Sequence, residues 1–247
     1  MLDLLKALFG GNAAQTSLLA EASDRFLGML DQAHELLVQA VPHLLDKDAP
    51  EELDALARQV DKTSNRTERD IRKMLVEHLA FDHSDGPTCL VLMSVSKDAE
   101  RLIDECRNLM ESKLLIKSAV PSAYADPLRE LSGEVSEVMQ KTREAFANND
   151  EQAALALVEG EKPFIARLQM VYDSLLDDDS LNTRQAVIIS RALRYIQRMR
   201  AHLANIASTV VFPVHRIDFA KRSFVRQAKE RIGEGDDTAS ESPKDSA

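Results

Sequence analysis

Two stretches of the chain, 97 residues apart, read as one helix written twice. Ala99, Glu100, Arg101, Leu102, Asp104, Cys106, Asn108 and Leu109 align with Ile196, Gln197, Arg198, Met199, Ala201, Leu203, Asn205 and Ile206. Positions 99, 102, 106, 109 and 196, 199, 203, 206 step by 3, 4 and 3, the spacing of a helix packed along one apolar stripe. The Arg and Asn between the seam positions are kept. The carboxylate pair Glu100 and Asp104 is not: it becomes Gln197 and Ala201. A repeat that keeps its apolar seam and drops its charges indicates a duplicated fold whose copies diverged in their sites.

The rest of the chain agrees with long helices. Gly and Pro number 8 each in 247 residues, aromatics make up 4%, and Trp is absent. No alternating strand pattern is visible. Helices are expected from about Gln15 to Leu45, Pro50 to Leu79, Pro87 to Lys117, Asp126-Pro127 to Ala147, Asp150 to Asp177, and Asn182-Thr183 to Pro213 with a continuation over 216–231. Pro163 should kink the fifth, because its ring removes a donor and crowds the preceding turn. Three long helices, a break at 118–126 and three more give an all-α fold of two tandem three-helix bundles with antiparallel neighbours. The expected organisation is an N-terminal arm (1–14), a first repeat (15–118), a second repeat with a helical extension (119–232) and a disordered acidic tail (233–247).

Charge and composition narrow the function. The net charge is -10, yet residues 184–231 hold eleven Arg or Lys against Asp218 and Glu230, leaving an acidic body and a basic last helix. Such a helix either complements that body or meets an anionic partner. Nucleic acid is disfavoured by the acidic total and the shortage of stacking aromatics. No run of apolar residues is long enough to span a bilayer, and no secretory leader is apparent. Cys89 and Cys106 sit in apolar helical contexts and read as reduced core residues. Of the six histidines, His202 falls near the seam, while His78 and His83 read as surface residues beside a turn. No phosphate loop, nucleophile elbow or His-Cys metal spacing appears, so an enzyme is not expected.

The repeated helix resembles the signature of the PhoU family. In Val95–Glu111, Ser96, Lys97, Asp98, Glu100, Arg101, Asp104, Asn108 and Glu111 match that pattern; in Arg194–Ala207, Arg194, Tyr195, Arg198, His202, Asn205, Ile206 and Ala207 match it. The resemblance covers roughly residues 15–212. It implies two similar three-helix bundles and a cytoplasmic, non-enzymatic regulator of phosphate homeostasis. Such a regulator would act as an adaptor on a phosphate transporter or a sensor histidine kinase, with a homodimer as one assembly open to it, and would touch a membrane only through its partner.

The resemblance also implies paired carboxylates that bind metal. Residues one turn apart on one helix face do offer hard oxygen ligands to a shared cation. Here the set is degenerate. Asp61 is followed by Asn65, Glu161 by Ile165, and Gln197 and Ala201 replace the last pair. Asp61, Glu100 and Asp104 remain as candidate ligands for one divalent or iron-type ion in the first repeat. The competing reading pairs Glu100 with Lys97 or Arg101, and Asp104 with Arg101 or Arg107. Arg194, Arg198 and Arg200, with Lys221, Arg222 and Arg226 beyond Pro213, are the candidate partner-binding residues. The alternatives to the adaptor are a metal-binding helical protein using Glu100 and Asp104, and a passive helical scaffold.

Overall fold

The computed structural model describes residues 13–46, 50, 52–216 and 222–233, with the backbone alone at 13–17, 222 and 223. The expected arm at 1–14 and tail at 233–247 therefore lie almost entirely outside the described residues. The first group comprises α1 (Ala13–Leu45), α2 (Glu52–Phe81) and α3 (Gly86–Glu111), followed by a 3-10 turn at Ser112–Leu115. The second comprises α4 (Ser122–Asn148), α5 (Glu151–Glu159), α6 (Glu161–Leu176) and α7 (Thr183–Val211). A 3-10 turn at Val214–Arg216 precedes α8 (Arg222–Ile232). The described residues form an all-α fold and include no strand.

Local chemistry sets most of the ends. Pro87 stands in the first turn of α3, where its missing N–H costs nothing. Asn149 closes α4 in the left-handed region at φ 52°, a conformation Asn tolerates better than most residues. Asp150 then accepts from the Ala153 N–H to open α5, and Asn182 and Gln185 form a reciprocal capping box at the start of α7.

Three boundaries depart from expectation. α3 ends at Glu111, not near 117, where the chain tightens into the 3-10 turn. α4 begins at Ser122, so Pro127 lies inside it. The extra turn brings Tyr124 and Ala125 into the core, and Tyr124 Oη donates to the Asp178 carboxylate at 2.8 Å, with the Ser174 carbonyl 3.1 Å away. The fifth expected helix is two helices, divided at Gly160. Pro163 is still the cause. It has no N–H for the Glu159 carbonyl and its ring crowds that carbonyl, so the chain breaks one turn upstream, at the residue with no side chain.

In the first group α1, α2 and α3 all pack on one another; in the second, α4 and α7 pack together and α5 lies on both. The two groups join through α1 on α4 and α3 on α7. Asp98 meets His202, Glu105 meets Arg198 and Cys106 meets Met199, so α3 and α7 run antiparallel. Asp31 to Arg143 and Phe26 to Phe146 give α1 and α4 the same sense. The copies are thus related by an approximate twofold axis through one continuous core. All eight seam residues are fully buried, at 0% exposure. The repeated stripe is the joint between the two halves.

Candidate functional site

The groove between α2 and α3 holds a ladder of alternating charges. Asp61 and Glu68 lie two turns apart on α2, while Lys97, Glu100, Asp104, Arg107 and Glu111 follow at spacings of three or four on α3, so each set shares a helix face, with Arg101 beside Glu100 at its edge. Arg72 reaches Glu68 at 2.8 Å, and Lys97 bridges Glu68 at 3.5 Å and Glu100 at 2.7 Å. Arg101 sits 3.8 Å from Glu100 and 3.5 Å from Asp104. Arg107 gathers Asp104 at 2.5 Å, Glu111 at 3.3 Å and Asp61 at 3.5 Å, and Arg58 closes the row on Glu111 at 2.9 Å. Five carboxylates meet five cations. Glu68 and Glu100 are buried, so their charges depend on these partners.

The fold does bring Asp61, Glu100 and Asp104 into one groove. Burial, and then the neighbouring acids Asp104, Glu100 and Glu111, push the Asp61 carboxyl up, against the pull of Arg107. Yet every one of these carboxylates already faces an ammonium or guanidinium group. Asn65 turns its amide nitrogen back to the Asp61 carbonyl. Among the described residues no three His, Cys, Asp or Glu side chains converge as metal ligands. A metal ion does not fit this donor set, because it would have to displace Arg107 and Lys97.

The corresponding face of α7 has cations at Arg194 and Arg198, Ala204 where Arg107 stands in the first copy, and no acids at 197 or 201. Arg194 donates to Gln197 Oε1 at 3.0 Å, and Arg191 folds over the Tyr195 ring and donates to its hydroxyl at 2.8 Å. Neither meets a carboxylate among the described residues. Arg198 crosses to Glu105 on α3 at 2.8 Å. Arg226 is exposed, with Glu230 at 4.0 Å; Lys221 lies outside the described residues, as does the side chain of Arg222.

Arg200 is a correction. Only 1% exposed, it is unavailable to a partner. Its Nη2 donates to the Leu157 carbonyl at 2.5 Å, beside the α5–α6 break. A Cβ on Gly160 would stand 3.4 Å from that nitrogen and 3.3 Å from the Ala156 carbonyl oxygen, so the glycine leaves room for the arginine. Burial lowers the Arg200 pKa and raises that of Glu161, its nearest acid on α6, whose own shift Arg200 opposes.

Sequence reasoning passed over several polar groups. Glu105 is fully buried at the α3–α7 joint, and burial raises its pKa more than Arg198 lowers it. Beside it, Asp98 meets His202 Nδ1 at 2.8 Å and accepts from Asn205 Nδ2 at 3.2 Å. His78, expected at the surface, is buried and meets Asp85 at 2.7 Å across the α2–α3 turn. His43 meets Asp54 at 3.1 Å across the α1–α2 connection. The available signal was an Asp seven or eleven residues after each His, flanking a predicted turn. Cys89 and Cys106 are both free and buried, and burial raises the Cys89 thiol to about 11.

No family model matches the chain. It is 25% identical over 221 residues to a "Phosphate-specific transport system accessory protein PhoU homolog" of Pseudomonas aeruginosa, covering 86% of this chain and 90% of the relative. A protein of the same description from Pseudomonas putida is 24% identical over 223 residues, covering 87% and 86%. The chain is PhoU-like in sequence and in fold. The crystal structure of PhoU from Pseudomonas aeruginosa superposes with a TM-score of 0.74 at 24% identity, over 81% of this chain and 98% of that one. The phosphate transport system regulatory protein PhoU from Streptococcus pneumoniae gives 0.71 at 18% identity, over 82% and 96%. In this PhoU-like chain the two signature helices form the joint itself, and their outward faces form two grooves of different charge.

Proposed function

We propose that this PhoU-like chain is an accessory and regulatory protein of phosphate transport. It restrains phosphate uptake, or the signalling tied to it, by docking on a phosphate transporter or its sensor kinase, without catalysing a reaction. The observation that carries this reading is similarity to phosphate-specific transport accessory proteins over most of both chains. Among the described residues no helix is long and apolar enough to cross a membrane. A membrane partner would be met by surface contact. The exposed cations of α7 and α8 support that contact, since surface charges speed encounter and set its salt dependence. Arg191 and Arg194 carry it on α7, and Arg226 on α8; Arg198 contributes only insofar as Glu105 releases it.

Two measurements test the proposal. A strain lacking the gene should show altered phosphate uptake and altered expression of phosphate-starvation genes; unchanged behaviour in both rich and limiting phosphate removes the phosphate reading. Reversing the charge with Arg191→Glu and Arg194→Glu should leave the chain folded yet weaken capture of the transporter or kinase, most at low salt. Binding that is insensitive to both substitutions shifts the contact away from α7.

A further inference from the structure

The break between α5 and α6 opens a cleft against α4. In the first group α2 runs unbroken along both α1 and α3. In the second, α5 stays on α4 and α7, but beyond Gly160 the chain keeps to α7 and barely touches α4. The gap between α4 and α6 is a cleft of about 320 Å³ lined by Tyr124, Pro127, Leu131, Arg167, Met170 and Val171. Met170 on its wall is 67% exposed, and Leu176 at the end of α6 is 80% exposed. Methionine on an open wall is a side chain that adapts to whatever it meets.

The rim is acidic. Glu130 lines the cleft, and Asp173, Asp177 and Asp179 follow along the end of α6 and the turn beyond it. Among the described residues none of these four pairs with a cation. Arg167, the basic residue of the lining, is already engaged by Glu134 and lies 6.0 Å from the Phe164 ring. An apolar floor between two helices, with Glu130 in its lining and Asp173, which accepts from Gln169 Nε2 at 2.8 Å, three residues beyond Met170 on α6, complements an amphipathic helix with a cationic face. The molecule already holds one such helix elsewhere. α8 turns Ala228 inward and clasps acids of α5 through Lys229 to Glu159 at 2.9 Å and Arg231 to Glu151 at 2.5 Å.

We propose that the α4–α6 cleft is a docking groove for a basic amphipathic helix of a protein partner, its apolar stripe on Met170, Val171 and Leu131 and its cations on Glu130 and Asp173. No residue of α7 lines this groove, so the chain presents two docking surfaces of opposite charge.

The test uses the full chain and three labelled eighteen-residue peptides: a Leu/Lys amphipathic helix, the same composition scrambled to destroy the stripe, and a Leu/Glu amphipathic helix. Fluorescence anisotropy should show saturable binding of the first at micromolar concentration, weakening as salt rises, and at least tenfold weaker binding of the other two. Met170→Lys places a cation on an already exposed wall, so the fold tolerates it; it should weaken the Leu/Lys peptide about tenfold. Glu130→Gln with Asp173→Asn should weaken it several-fold and flatten the salt dependence. Val76→Lys, at an exposed position in the first repeat, should change nothing. Equal binding of the scrambled peptide, or indifference to Met170→Lys, overturns the proposal. So does the absence of binding. A failed titration leaves the phosphate reading intact, and an unaltered deletion strain leaves the groove intact.

Discussion

The two grooves flanking the joint began as one design and now differ in charge, in burial and in backbone. The first is closed and neutral: five carboxylates and five cations interlock along an unbroken α2, with Glu68 and Glu100 held inside. The second lost its acids at Ile165, Gln197 and Ala201, kept cations at Arg194 and Arg198, and broke its middle helix at Gly160. The lesson is that a duplicated scaffold tolerates divergence on its outer faces as long as the seam is kept, since the seam supplies the stability. A buried ion ladder also constrains its neighbours: losing Arg107 leaves Asp61 without a cation, and losing Lys97 takes the nearest cation from the buried Glu100.

That contrast predicts a graded series of effects. The largest belongs to the shared seam. Leu102→Ala and Met199→Ala should each cost about 2–5 kcal/mol in urea unfolding, because both side chains are fully buried and leave cavities. Comparable losses at the two positions support equivalent copies; a negligible loss at one breaks the symmetry of the joint. Next is the first groove. Lys97→Met takes the nearest cation from the buried Glu100, leaving it Arg101 at 3.8 Å, and leaves the buried Glu68 with Arg72 alone, so it should cost about 1–3 kcal/mol at neutral pH. If unfolding is unchanged, the ladder is ornamental and the two grooves are energetically alike.

The joint itself has a pH signature. Burial raises the Glu105 pKa above the ordinary glutamate value of 4.5, so folding favours the protonated acid. Its favourable contribution is fully present below that unfolded value and is lost as pH rises through the raised one. Glu105→Gln should therefore stabilise the chain at pH 7 by on the order of 1 kcal/mol and lose the advantage below about pH 4.5. Thermal unfolding across that range reads the difference, and an advantage that persists at low pH would assign it to something other than charge. The smallest effect is Arg194→Met, at the position corresponding to Lys97. With no carboxylate to strand, it should shift stability by less than about 0.5 kcal/mol. A loss as large as that of Lys97→Met would reveal a partner for Arg194 inside the fold.

The repeat, the helical class and the burial of positions 99, 102, 106, 109, 196, 199, 203 and 206 were legible in the residues, because a 3-4-3 apolar spacing has one packed solution, a helix seam. Glu100 beside Lys97 and Asp104 beside Arg107 were legible as local pairs for the same reason: residues three and four apart on a helix are neighbours whatever surrounds them. Contacts that cross between helices were not. Asp61 meeting Arg107, Glu68 meeting Lys97 and Arg198 meeting Glu105 depend on which faces are apposed, and no local spacing encodes that. The burial of Arg200 is the clearest case. In sequence it is one cation among several on a basic helix; only the break at Gly160, one helix away, makes a bare carbonyl and the space that draws it inside. Pro163 determined that the middle helix would break, since it cannot donate to the turn before it. Where it broke, and that the displaced α6 would leave a cleft against α4, was decided by tertiary packing, because α7 holds both fragments and α4 holds only the first.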